Sequence, residues 1–105
     1  MTAVELRAAI AKRSVSCREV MQAYLDRIDA VNPVFNAIVS RKDSKGLLAE
    51  ADKADEALAR GDAVGPLHGF PQAPKDLAAT TDIVTTQGSL ILAKYLPKAD
   101  AIVVE

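Results

Sequence analysis

The sequence predicts a mostly helical α/β chain, and three features predict it. Three segments carry apolar residues at helical spacing behind polar capping residues. One short run, "NAIVS" at residues 36–40, is β-branched and apolar. A Pro/Gly-braced stretch, "GPLHGFPQAPKD" at residues 65–76, then breaks the helical rhythm past the middle of the chain. With 105 residues, the chain is expected to form at most one domain, spanning 1–105.

Each element has a local cause. Thr2 and Glu5 form a capping box, and Val4 or Leu6, with Ile10, gives a short amphipathic helix over residues 3–12. Ser16 and Glu19 repeat the device, with Val15 placed to staple onto Val20. Val20, Tyr24 (or Leu25), Ile28 and Val31 then recur at helical spacing and predict a second helix over 17–31. Asn32-Pro33 is expected to end it, because a residue before proline avoids the α region. "NAIVS" follows as a brief strand. Asp43 or Ser44 caps a third helix over 44–60, through Leu47, Leu48, Ala51, Ala54 and Leu58, and Gly61 stops it.

Composition excludes several classes of function. Half the residues are apolar, but 19 are alanine, so the core is thin in large side chains. The formal charge is −1, with 13 basic and 14 acidic residues mixed along the chain. No basic patch or aromatic platform points to a nucleic-acid partner. One cysteine excludes an internal disulfide framework and a cysteine-rich zinc site. No signal region and no membrane-length apolar run is present, so no membrane partner is expected and a cytoplasmic location is.

Three residues invite a chemical reading. Cys17 falls in the first turn of the second helix, where the helix dipole lowers a thiol pKa; with no base nearby in sequence, it reads as a small helix residue. His68, the lone histidine, has no partner cluster and reads as a loop hydrogen-bonding residue. The charge run "EADKADEALAR" reads as the solvated face of the third helix. Lys75 is different. Pro66, Pro71 and Pro74 fix φ around it, and Gly65 and Gly69 permit conformations closed to other residues. Such a segment holds its exit point rigidly, and Lys75 stands at the exit beside Asp76. On spacing alone, that pair reads as an ordinary surface Lys–Asp pair.

Two motifs in fixed order change that reading. Gly-Pro-Leu-x-Gly-x-Pro, three residues, then Lys75-Asp76, and then "TTQGS" at 85–89, resemble the amidase signature family. The lead-in from "ELRAAIAKRS" to "NAIVS" is similar to that family's opening, and "DAIVVE" to the start of a later helix. The resemblance runs from about Val4 to Glu105. It implies the N-terminal part of the amidase-signature mixed α/β sheet fold, and hydrolysis of small-molecule carboxamides by a Ser–cis-Ser–Lys triad without metal or organic cofactor. Lys75 stands at the position of the triad lysine. A serine is a poor nucleophile until a base takes its proton, and a lysine serves only when desolvation or nearby positive charge keeps it neutral.

The chain departs from the family pattern at Pro74 and Gln72, where apolar strand residues are usual. The Gly/Ser-rich segment that supplies the nucleophile and the cis-Ser is expected beyond residue 105. Ser40, Ser44 and Ser89 lie in no such context, and no substrate-binding residue is assigned. The expectation is an N-terminal fragment, inactive as an isolated chain. The amidase subunit of a tRNA-dependent amidotransferase shares these motifs and is the alternative within enzymes. A small helical interaction module without catalysis is the alternative from another class. Because the resemblance implies an absent core, Ile83, Val84, Leu90, Ile91, Leu92 and the "AIVV" run are expected to be exposed and to drive homo-oligomerisation.

Overall fold

A computed structural model describes all 105 residues. It contains three α-helices, α1 (Ala3–Ala11), α2 (Cys17–Phe35) and α3 (Ser44–Arg60), and a 3₁₀ turn at Leu90–Leu92. The chain divides into two units, one formed by Met1–Val31 with Asp43–Pro71, the other by Asn32–Lys42 with Gln72–Glu105.

The helix starts are set by the residues that predicted them. The Thr2 hydroxyl accepts from Glu5 N (3.3 Å), and the Glu5 carboxylate accepts from Thr2 N (2.6 Å). Ser16 and Glu19 do the same for α2, at 3.0 and 2.8 Å. Asp43, rather than Ser44, caps α3 by accepting from Gly46 N (2.6 Å). Gly61 closes α3 in the left-handed region (φ 76°), giving its N–H to Leu58 O.

A further cap arrives from a distance. Asp55 on α3 accepts from Cys17 N (2.7 Å) and Arg18 N (3.1 Å) at the start of α2, and Asp52 pairs with Arg18. The charge run therefore joins two helices as well as facing solvent. Both carboxylates suit the positive end of the α2 dipole. Between the helices, Ile10, Cys17, Val20 and Ala51 form a small buried core, with Leu6, Val15, Met21, Ala54, Leu58 and Phe70 packed against it. Val15, expected to staple onto Val20, packs against the cluster that contains Val20.

Two expectations fail, and one residue explains both. α2 does not stop before Pro33 but continues to Phe35, with Pro33 inside the helix. Residues 36–40 form no strand. The Asn32 side chain accepts from Ile38 N (2.9 Å) and donates to Ile38 O (3.0 Å), so both backbone groups of Ile38 are taken without a neighbouring strand. Those bonds hold Asn32 in place while the helix completes one more turn, closed by Asn36 N to Asn32 O at 2.7 Å. Asn36 ends it at φ 47°, a conformation asparagine tolerates.

The second unit is built from turns. Ala101 N bonds to Ala79 O, Thr85 N to Tyr95 O, and Thr81 N to the Asp100 carboxylate (2.6 Å). Its only buried residues are Thr85 and Pro97. Leu90, Ile91, Ile102 and Val103 are exposed as expected, whereas Ile83, Val84, Leu92 and Val104 are half-buried. "DAIVVE" makes one turn, closed by bonds from Val104 N and Glu105 N to Ala101 O.

Gly69 meets the core where no side chain fits. Its φ is 75°, and a Cβ built there would overlap Cys17 Sγ. Gly69→Ala is therefore expected to combine a left-handed penalty of about 1–2 kcal/mol with an overpacking cost of about 1–3 kcal/mol. Chemical denaturation of the single and double variants checks this: in a Cys17→Ala background the overlap with the sulfur is gone, and the cost should fall to the left-handed penalty plus the smaller strain of a 3.2 Å contact with the residue-17 Cβ.

Candidate functional site

The segment that singles out Lys75 folds as two consecutive devices. In the first unit, Gly65 to His68 makes a β-turn with Pro66 at its second position, closed by His68 N to Gly65 O at 3.2 Å. Phe70 N then bonds to Leu67 O (3.0 Å), and His68 Nε2 lies 2.9 Å from Ala54 O. A carbonyl only accepts, so Nε2 carries the hydrogen. His68 is thus a loop-anchoring residue that ties the turn to α3.

In the second unit the chain runs without regular secondary structure through Gln72–Pro74 to Lys75, which is exposed. Pro74 donates no hydrogen bond, and no strand forms there to need one. Lys75 opens a tight turn, its carbonyl accepting from Ala78 N at 2.8 Å. Asp76, next in the chain, fixes that turn to the second motif. Its carboxylate accepts from Thr86 N (2.8 Å) and from the Thr86 hydroxyl, and its carbonyl accepts from Gln87 N (3.1 Å). The Thr86 oxygen in turn accepts from Gly88 N (3.1 Å).

This bonding gives the "TTQGS" element its shape. Gln87 and Gly88 both take positive φ, 50° and 73°, which turns the backbone back toward Asp76. Ser89 caps the 3₁₀ turn, its hydroxyl accepting from Ile91 N (3.3 Å). Sequence reasoning found both motifs but not the bond between them; the paired spacing of Asp76 and Thr86 was the available signal. The Thr86 hydroxyl, then the backbone N–H groups, hold the Asp76 carboxyl below the usual carboxylate range.

Cys17 takes no part in this chemistry. It is fully buried, and burial first, then the hydrogen bond with Asp55, pushes its thiol up to about 11. The helix dipole is outweighed, and Cys17 is a packing residue. No three His, Cys, Asp or Glu side chains gather as a metal site. No helix is long and apolar enough to cross a membrane.

The amidase family matches residues 19–105, an interval holding the Lys75 segment, the Asp76–Thr86 bonds and the "TTQGS" turn. The chain belongs to the amidase family. Among its amidase relatives, a glutamyl-tRNA(Gln) amidotransferase subunit from Acidothermus cellulolyticus is 48% identical over 99% of this chain and 20% of its own length. The corresponding subunit from Thiobacillus denitrificans is 48% identical over 95% of this chain and again 20% of its own. The chain thus spans about a fifth of the length of the curated amidase relatives it matches. A solved structure described as a vestigial protein complex that reveals the evolutionary origins of an s-triazine catabolic enzyme superposes with a TM-score of 0.87. It is 35% identical over 99% of this chain and 23% of that one. The backbone described above is therefore one that a much longer solved chain also adopts.

A depressed carboxylate stabilises the fold above its unfolded pKa, and that contribution is lost as pH falls through the folded value. The Asp76 clamp is therefore expected to be complete at neutral pH and to open only on acidification below the ordinary aspartate range. Carboxyl-carbon NMR titration checks this. Asp76 should titrate below an unperturbed aspartate, and Thr86→Val should move its midpoint upward.

Proposed function

We propose that Lys75 is the general base of a Ser–cis-Ser–Lys amidase site that hydrolyses small-molecule carboxamides. The observation that carries this reading is the Asp76–Thr86 bonding, which joins the lysine-bearing turn to "TTQGS" and fixes the backbone on the C-terminal side of Lys75. Neutral Lys75 accepts the proton of a bridging serine hydroxyl, which takes it from the nucleophilic serine as that oxygen attacks the carboxamide carbon. The same proton returns along this path to the leaving amine, and water then releases the acyl group. Backbone N–H groups stabilise the tetrahedral oxyanion. None of the serines among these 105 residues is assigned to either serine role, so the 105 residues alone should turn over no carboxamide.

Lys75 is exposed here. The base role requires the amidase-domain residues outside the matched fifth to dry it. A second reading places the same chemistry in one component of a tRNA-dependent amidotransferase. It is favoured by the naming of the relatives as glutamyl-tRNA(Gln) amidotransferase subunits. The lysine role is common to both readings.

A chimera tests the role directly, with these 105 residues replacing the matching fifth of the Acidothermus cellulolyticus amidotransferase subunit. Lys75→Ala should lower carboxamide turnover by at least about 10³-fold while leaving thermal unfolding nearly unchanged. Lys75→Arg should be equally inactive, since an arginine keeps the charge but never becomes a base. An active Lys75→Ala chimera would return Lys75 to a structural role.

A further inference from the structure

Lys75 stands beside an aspartate, and for a lysine that has to give up its proton this is an adverse neighbour. An opposite charge within about 4–6 Å favours the ammonium form, so an ion pair with Asp76 would hold Lys75 protonated and silence it as a base. Asp76 is ionised wherever a lysine titrates, so it is a constant counter-ion. The surface Lys–Asp pair that spacing alone suggests nevertheless does not form, and Lys75 joins no ion pair. The Asp76 carboxylate is turned onto the second motif instead, accepting from Thr86 N (2.8 Å) and from the Thr86 hydroxyl. The groups that hold its charge are that hydroxyl first, then the N–H groups of Thr86, Gly88 and Gln87, and no cation contributes.

We infer that Thr86 is a positioning residue for the Lys75 base: its hydroxyl and N–H hold the Asp76 carboxylate on "TTQGS" and so keep it from pairing with the neighbouring ammonium. This rests on the general-base role proposed for Lys75 and deepens it, because it gives the second motif a chemical task. Stiffening the turn would serve the rate equally at every pH. Withholding a counter-ion acts only where Lys75 changes charge, and that difference can be measured.

The pH dependence of turnover separates the two tasks, in the chimera with the Acidothermus cellulolyticus subunit. Thr86→Val removes the hydroxyl and frees the carboxylate to pair with Lys75. The rising limb of the kcat–pH profile, which follows deprotonation of the base, should move up by at least about 1 pH unit. That is a loss of about tenfold at neutral pH that shrinks toward high pH. Thr86→Ser keeps the hydroxyl and should return the limb. Adding Asp76→Asn to Thr86→Val should return it too, because no carboxylate is left to pair; the position of the limb, not its height, is the readout. Thr85→Val, which removes a hydroxyl bonded to Ile83 O (3.3 Å) and not to Asp76, should leave the limb in place. An equal loss at every pH, or a limb that stays raised in the double variant, overturns the inference. If Lys75→Ala is active, the base reading falls and the inference falls with it. If Lys75→Ala is inactive and Thr86→Val leaves the limb unmoved, the inference alone falls. A second measurement needs no turnover: in the 105-residue chain, side-chain NMR titration of Lys75 should show a higher midpoint in Thr86→Val than in Thr86→Val with Asp76→Asn. Equal midpoints overturn the inference, even where the chimera turns over nothing.

Discussion

The second unit has almost no buried side chains to fix its shape, so its conformation depends on polar contacts, and the Asp76 carboxylate makes the most consequential of them. One residue satisfies a backbone N–H and a hydroxyl ten positions away while its own carbonyl holds the next N–H in line. A charged acceptor makes stronger hydrogen bonds than a neutral one, and here two of them converge on a single threonine. The positive φ at Gln87 and Gly88 is sustained by that anchoring. Lys75 inherits its backbone position from Asp76, because the two are consecutive and share one turn.

The first unit works by different physics. Its helices are held by caps and by a small apolar core, and Gly69 backs onto Cys17 so tightly that an added Cβ would overlap the sulfur. The glycine that shapes the motif also lets the motif pack, since any larger residue would strike the sulfur. Cys17 is thereby committed to packing. Its location at a helix start, which in water would activate a thiol, is overridden by burial and by the neighbouring Asp55 carboxylate.

What was legible in the sequence follows the range of the interactions. The three helices are specified by residues within a turn of their own ends, so Thr2, Ser16, Asp43 and Gly61 could be read directly. His68 was legible as a loop residue because nothing else could complete a metal or catalytic cluster with it. The Asp55 cap on α2 spans 38 residues and left no local signal. The passage of α2 through Pro33 was hidden for another reason. Local preference opposes it, and only the paired bonds from Asn32 to Ile38 offset that preference, which also removed the strand expected at 36–40. Both family motifs were visible in the sequence, yet their physical connection became apparent only in three dimensions.

If the Asp76 carboxylate orders the lysine turn, backbone ¹⁵N relaxation of residues 75–78 will register its removal. In the wild-type chain these amides should show order parameters near 0.85, typical of a rigid backbone, and Asp76→Ala should drop them below about 0.6. Order parameters that stay high in Asp76→Ala would show that the turn is held without the carboxylate, and that Lys75 owes its position to something else.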